Sequence, residues 1–468
     1  MSAAGLDAAI AKLREDGATD ATVASFAANA RRFAAGDVGV LREQDLEPVA
    51  DVPDAGALPA AGEEVRDLLD RTVVLKLNGG LGTSMGMAYA KSLLPVKDGL
   101  SFLDITARQV LALRARFPGR EPRLPLLLMN SFRTRADSLA ALAPYGPLSA
   151  ELPPDILQSR VPKLLDDGSL APATWPADPE LEWAPPGHGD LYPALTGSGA
   201  LDAMLQQGYR YAFVANADNL GALPDPEILS WFAASGAPFL MEVADRTPAD
   251  RKGGHLARRA GSEGGSLVLR EVAQTAPEDL DAFQDITRHR YFNTNTIWLD
   301  LQALRDVLGD DGVLELPMIV NRKTVDPADA SSPAVVQLET AMGAAIDVFD
   351  GARALRVPRR RFLPVKTTDD LLVLRSDAFG LDDEARVRLD AGRDGDVPRI
   401  RLDPAHYKLV DDFEARFPAG PPSLLACEEL TVQGDARFGA GVVVRGAVTM
   451  RVPEGEQLDL ADGTVLDG

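Results

Sequence analysis

Residues 73–92, VVLKLNGGLGTSMGMAYAKS, carry the strongest chemical signal in the chain. An apolar run (Val73, Val74, Leu75, Leu77) ends at Asn78 and gives way to Gly79, Gly80, Gly82 and Gly86, with Lys91 following. A buried strand that runs into a glycine-rich turn brings backbone N–H groups close to a phosphate. Glycine is needed because a side chain would block that approach. Lysine adds a mobile positive charge. Two common phosphate loops do not fit. A Walker A loop needs glycine directly before Lys-Ser, but Ala90 precedes Lys91 and Ser92; the dinucleotide fingerprint needs glycine where Met85 stands. A plain strand–turn–helix connection is the alternative on this segment alone.

Other residues suit the same chemistry. Asp218 closes the apolar run Tyr211–Ala215, within Asn216-Ala217-Asp218-Asn219. Ligands of open parallel sheets bind at the carboxyl ends of strands. A carboxylate there is placed to hold Mg2+ between phosphates, the plainer reading being a helix or turn cap. Lys366 follows the apolar run Phe362–Val365, which favours a buried or site-facing ammonium over a solvated one. His188 stands between Gly187 and Gly189 in PPGHGD, a stiff, closely approached loop. Gln158 has an amide able to read a base edge, or to serve as a surface residue. Asn293 and Asn295 alternate with threonines, so on a strand they share a face and can read hydroxyls; a polar edge strand is the alternative. Glu339 is a weaker hydroxyl-binding candidate, with helix capping competing. No Ser/His/Asp or Cys/His set is evident. Glycines, lysines, amides and one carboxylate supply positioning and charge stabilisation, which is what phosphoryl-type transfer asks of a protein.

These residues need strands to hold them. From 71 to about 375, short apolar runs (125–130, 209–218, 237–243, 291–301) alternate with helical stretches. That pattern predicts a mostly parallel sheet covered on both faces. Residues 1–70 show helical spacing (Leu6, Ile10, Leu13; Val23, Phe26, Ala27, Ala30, Phe33) and a Pro/Gly-containing break near 52–62, which predicts a helical arm. In the tail, Val432, Phe438, Val444 and Met450 recur every six residues, with Gly434, Ala440 and Gly446 two places after the first three. A six-residue period marks a parallel β-helix, with a β-meander as the alternative. The expected division is an arm (1–70), a catalytic domain (71–375) and a C-terminal domain (376–468).

Composition narrows the partners. A chain of 468 residues with 46% hydrophobic and 25% charged residues is globular and long enough for two or three domains. The net charge of −22 argues against nucleic acid, which needs a basic surface. No apolar run has the length of a membrane span, and MSAAGLDAAIAKLRED lacks the basic and apolar segments of a secretory signal. Cys427 stands alone, which excludes an intramolecular disulfide and suits a reducing cytoplasm. The four histidines have no zinc-ligand spacing. Only nine lysines occur against 39 arginines, and seven of the nine lie in or beside the motif segments. A drift from lysine to arginine would retain lysine where a compact ammonium matters.

LNGGLGTSMG with its downstream Lys-Ser resembles the nucleotide-binding loop of the eukaryotic-type UTP–glucose-1-phosphate uridylyltransferases. The likeness continues, in the family's order, through LMNSFRT (128–134), QSRVPK (158–163), PPGHGD (185–190), VANADNLG (214–221) and MEVADRTPADRKGG (241–254). It resumes at FNTNTIW (292–298), VNRKT (320–324), QLETAMGAA (337–345) and VPRRRFLPVKTTDDL (357–371). The resemblance implies a nucleotidyltransferase (GT-A/Rossmann-like) α/β fold with a short left-handed parallel β-helix at the C-terminus. It implies UDP-glucose and pyrophosphate as products of UTP and glucose 1-phosphate, with Mg2+ as cofactor. Nucleotide contacts then fall to Leu77, Asn78, Gly79, Gly80, Lys91, Gln158, Gly187, Asp218 and Lys366. Lys366 would contact the phosphates at the reacting centre, Lys91 the triphosphate, the Gly187 backbone the uracil and His188 the sugar phosphate. Asn216, Asn293, Asn295 and Glu339 would hold the sugar.

Two departures are visible. Tyr89-Ala90 replaces the family's usual Gly-Pro before Lys-Ser, altering loop stiffness without removing a chemical group. The chain stops soon after DGTVLDG, whereas longer members continue with more β-helix, so self-assembly through the β-helix is an open expectation. Uridylyltransferases for N-acetylhexosamine 1-phosphate or for many UDP-sugars share the architecture but carry arginine where this chain has Ser84. A non-catalytic nucleotide-sugar-binding protein is the rival from another class; it predicts loss of Asp218, Lys91 or Lys366, and all three are present.

Overall fold

The apolar run before the glycine loop becomes the middle of a central sheet. This computed structural model describes residues 3–261, 265–308, 312–393 and 396–468. Val73, Val74 and Leu75 of strand Thr72–Asn78 are fully buried, as in a strand covered on both faces. Leu126–Asn130 and Tyr211–Asn216 run parallel to it on either side, and Asp155–Leu157 extends the parallel set. Side-chain alternation divides the core. Val73, Leu75, Leu127 and Val214 pack under helices Leu191–Gly197, Ala200–Gln206 and Leu301–Leu308. Val74, Leu126, Leu128 and Phe213 pack under Phe102–Ala115 and Pro226–Ser235.

The four parallel strands end together. Asn78 pairs with Asn130, Asn130 with Leu157, and Leu77 with Asn216, so their outgoing loops share one edge. The other side of the ten-stranded sheet is largely antiparallel. Tyr291–Asp300 runs against both Tyr211–Asn216 and Phe239–Asp245, and His255–Arg259 runs against Leu46–Pro48 and Leu267–Arg270. The parallel arrangement expected from sequence therefore holds on the glycine-loop side and reverses at Tyr291–Asp300. Strand direction is not written in a continuously buried run, because burial on both faces looks the same either way.

Helices Ala3–Glu15 and Asp20–Ala34 form the N-terminal arm, the second capped by Thr19. Val23, Phe26, Ala30 and Phe33 pack against Val161, Leu164, Met318, Val336 and Leu338. Leu46–Pro48, farther along, is an edge strand of the central sheet.

In the tail, Arg399–Leu402, Ser423–Gln433, Val443–Arg451 and Val465–Asp467 stack in parallel, as do Asp435–Phe438 and Gln457–Leu460. Val432 lies opposite Met450, three six-residue periods on. Gly434 and Gly446 have positive φ, and a Cβ on them would collide with the backbone of Val452 and of Gly468 respectively. The periodic strands thus stack in parallel rather than as successive hairpins, and the β-meander is excluded. The tail shares one core with Met85, Met87, Phe102 and Leu220, and Leu409 lies against Gly86. The glycine loop is braced by the C-terminal segment.

Candidate active site

The outgoing loops build one site. Gly80 accepts a hydrogen bond from Lys91 N, folding the glycine loop back so that Lys91 returns to the strand end. Lys91 Nζ donates to Asp218 Oδ2 at 2.7 Å. Asp218 enters from the adjoining strand, whose loop is pinned where Ala217 N donates to Leu77 O. Gly80 faces open space, leaving that stretch of backbone approachable.

Opposite stands the Pro186–Asp190 turn. Gly187 (φ +79°) lies so close to Thr340 that a Cβ would collide with its carbonyl. Thr340 N donates to Pro186 O, locking the turn to strand Ala334–Thr340. Gln158 Nε2 donates to Gly187 O at 3.2 Å, and a Cβ on Gly79 would strike Gln158 Oε1. Gln158 therefore bridges the two glycine turns. His188 Nδ1 accepts from Met342 N at 2.9 Å. Burial pushes its pKa down to about 4. The ring is neutral near pH 7, and with Nδ1 accepting, Nε2 carries the proton.

Beside the turn, Asn293 Nδ2 donates to Asn295 Oδ1 and Asn295 N to Asn293 Oδ1. Strand alternation does not produce this. The register against Phe239–Asp245 jumps from Thr296 to Asn293, and Asn295 has φ +54°, so a bulge turns the two amides together. Asn293 packs on Gly343, one residue after Met342. Glu339 sits on the strand beside Gly187 and accepts from Asn321 Nδ2; it caps no helix.

Asp218 also decides what metal this site suits. Among the described residues no group of three or more His, Cys, Asp or Glu is placed to hold an ion. One Asp218 oxygen is engaged by Lys91, leaving Oδ1. A single carboxylate beside the open Gly80 backbone suits a divalent cation that takes one or two carboxylates and completes its shell with water and substrate phosphates.

The family model for UTP–glucose-1-phosphate uridylyltransferase matches residues 23–445. The chain belongs to this family. It is 42% identical over 405 residues to the UTP–glucose-1-phosphate uridylyltransferase of Solanum tuberosum, covering 86% of this chain and 81% of that one. It is 39% identical over 468 residues to that of Hordeum vulgare, covering 99% and 95%. Among solved structures it resembles the UDP-glucose pyrophosphorylase of Leishmania major, with TM-score 0.92 and 43% identity over 100% of this chain and 99% of that one.

Within this uridylyltransferase fold, the anticipated residues group unevenly. Lys91, Asp218, Gly79, Gly80, Gln158, Gly187 and His188 are joined by the contacts above, with Leu77 and Asn216 in register beneath them. Asn78 is turned away: it is 3% exposed, and its Nδ2 donates to Asn130 Oδ1 and Ser138 Oγ. Its side chain braces strand ends, leaving only its backbone toward the loop. Lys366 is exposed, not buried, with Nζ 5.7 Å from the centre of the Phe362 ring. The apolar run before it packs inward and ends one residue short of it, at buried Val365.

The lysine clustering has a partly structural cause. Lys76, Lys97 and Lys163 are buried and donate to the carbonyls of Ala222, Ser376 and Val325. A compact ammonium fits such confined carbonyl acceptors better than a planar guanidinium. Burial, aided by Arg361, lowers the Lys76 pKa to about 7.

Four supporting residues, none of them singled out by residue type or spacing, hold the site together. Asn219 accepts from Leu363 N and Gly221 N and donates to Arg361 O, tying the Lys366 segment to the Asp218 loop. Glu242 and Arg361 form a buried two-bond pair beneath the same segment. Asp190 reaches Ser159 N at 2.6 Å. All four lie inside the family motifs, but a motif does not say which of its polar residues face inward.

Proposed function

We propose that this protein transfers the uridylyl group of UTP to α-D-glucose 1-phosphate, forming UDP-glucose and releasing pyrophosphate. The observation that carries the reading is the Lys91–Asp218 pair beside the open Gly80 backbone, on the same sheet edge as the Gln158–Gly187 bridge. A sugar-phosphate oxygen attacks the α-phosphorus of UTP in line, and the bond to the pyrophosphate oxygen breaks. Lys91 and the loop N–H groups hold the triphosphate, and Lys366 meets charge developing at the reacting centre. Neutral His188 donates through Nε2–H to the sugar phosphate. Gln158 Oε1 and the Gly187 backbone read the uracil imide and carbonyl. Asn216, Asn293, Asn295 and Glu339 provide sugar-hydroxyl partners. Asp218 would hold Mg2+, which when bound neutralises phosphate charge. Ser84 in the loop supports glucose over an N-acetylhexosamine.

The same reading assigns 1–70 to an arm, 71–375 to the catalytic domain and 376–468 to a left-handed β-helix. The parallel coils and their six-residue periods support the last assignment. Self-association through the β-helix belongs to the same reading. Among the described residues no helix is long and apolar enough to cross a membrane. The lone, buried Cys427 supports a cytoplasmic setting.

The deciding assay is pyrophosphate release from UTP and Mg2+ with a panel of sugar 1-phosphates, wild type beside Lys366→Ala. Release with glucose 1-phosphate that collapses in the variant is expected. Release with another sugar alone would replace the substrate. UDP-glucose binding without release from any sugar would make this a binding protein.

A further inference from the structure

Asp190 is 3% exposed and begins helix Leu191–Gly197. An aspartate at that position ordinarily accepts from the first turn of its own helix, a cap contributing about 1 kcal/mol. Here the side chain makes no such bond. It crosses to the neighbouring segment, where Oδ2 accepts from Ser159 N at 2.6 Å. Ser159 follows Gln158, and Asp190 lies two residues after His188. One carboxylate therefore joins the base-reading segment to the phosphate-facing turn.

The arm closes the back of this joint. Thr22, itself buried, lies 2.8 Å from Ser159 Oγ through its hydroxyl. Thr22, Ser25, Asn29 and Thr340 line the space behind Asp190, a cavity of about 10 Å3 in which Asp190 is the one charged lining group. Burial without a cationic partner pushes the Asp190 pKa up to about 7, against the opposing pull of Ser159.

We propose that Asp190 is a positioning residue that sets Gln158 against Gly187 and His188, and that the N-terminal arm takes part in uridine recognition through Thr22. The proposal rests on the uridylyltransferase reading above. An oxygen acceptor at position 190 holds the spacing between the Gln158 and His188 segments. Without it the Ser159 N–H loses its partner, and Gln158 moves off the base edge.

The test measures UDP-glucose binding by calorimetry, and initial rates with UTP and with CTP, on the full chain. Asp190→Asn keeps an accepting oxygen and is expected to bind UDP-glucose within about threefold of wild type. Asp190→Ala is expected to bind roughly tenfold more weakly and to narrow the preference for UTP over CTP, since a misplaced reader loses discrimination. Thr22→Val is expected to raise KM for UTP about two- to threefold at unchanged kcat. A folded Asp190→Ala protein with wild-type affinity and UTP:CTP preference overturns the proposal. So does an Asp190→Asn loss as large as that of alanine. Should Asp190→Ala fail to fold, Thr22→Val decides, and a wild-type KM for UTP and base preference overturn it. Wild type that binds UDP-glucose without turnover defeats the uridylyltransferase reading while the binding arm still judges Asp190; wild type that binds none defeats both.

Discussion

Lys91 Nζ and Asp218 Oδ2 stand 2.7 Å apart across 127 residues of chain, joined because two adjacent parallel strands end level. Both side chains keep some solvent access (16% and 23%), so the pair contributes only about 0–1 kcal/mol to stability. Lys91→Met and Asp218→Asn are each expected to lower kcat by about 100-fold or more, as for lost transition-state charge stabilisation. Melting temperature should change little. Calorimetric melts beside pyrophosphate-release rates check both halves; large destabilisation with kcat retained would make the pair a structural tie.

Gly187→Ala should disable the turn, whereas Gly80→Ala should be tolerated by the fold. At Gly187 the φ of +79° and the Thr340 carbonyl leave no room for a methyl group. The turn must shift, releasing His188 from Met342 N, at about 1–3 kcal/mol. A fall in kcat/KM of roughly 30-fold or more is expected, since small misplacements are costly. At Gly80 nothing lies within 4 Å of the added methyl. Any activity lost there with a wild-type melt reports on a ligand approaching the loop.

Asn219→Ala should damage stability and turnover together. Asn219 is 2% exposed, and its side chain serves Leu363, Gly221 and Arg361. Leaving those backbone groups unpaired costs about 1–3 kcal/mol. The segment leading to Lys366 loses its anchor, so kcat should fall further than the KM values rise. Urea unfolding with steady-state kinetics tests this, and wild-type kcat in the destabilised variant would refute the link to Lys366.

Lys76 should leave a signature in stability against pH. The unfolded side chain holds its proton to about pH 10.5, the folded one only to about 7. Between those values the unfolded state binds more protons, so this residue makes stability rise with pH, and its penalty is fullest below about 7. Lys76→Met removes the penalty along with a pH-independent hydrogen bond to Ala222. Relative to wild type, the variant should gain on the order of 3 kcal/mol in going from about pH 9.5 to about pH 6. Urea unfolding at the two pH values measures the difference, and a difference near zero would mean that Lys76 titrates normally.

The sequence by itself determined the local facts. Val73–Leu75 had to be a strand, the glycines after Asn78 a turn, the arm residues helices, and the tail a six-residue repeat, because each is set by spacing within a few residues. The ordered motifs determined the family for the same reason, since residue types at fixed offsets are read directly. Tertiary structure decided what depends on distant neighbours. It turned Asn78 inward onto Asn130 and left Lys366 exposed. It gathered Asn293 and Asn295 through a bulge and reversed Tyr291–Asp300 beside its parallel neighbours. It also sent Asp190 away from its own helix to Ser159, with the arm behind it. A polar residue's partner is chosen by whichever segment packs against it, and that choice is made across the fold.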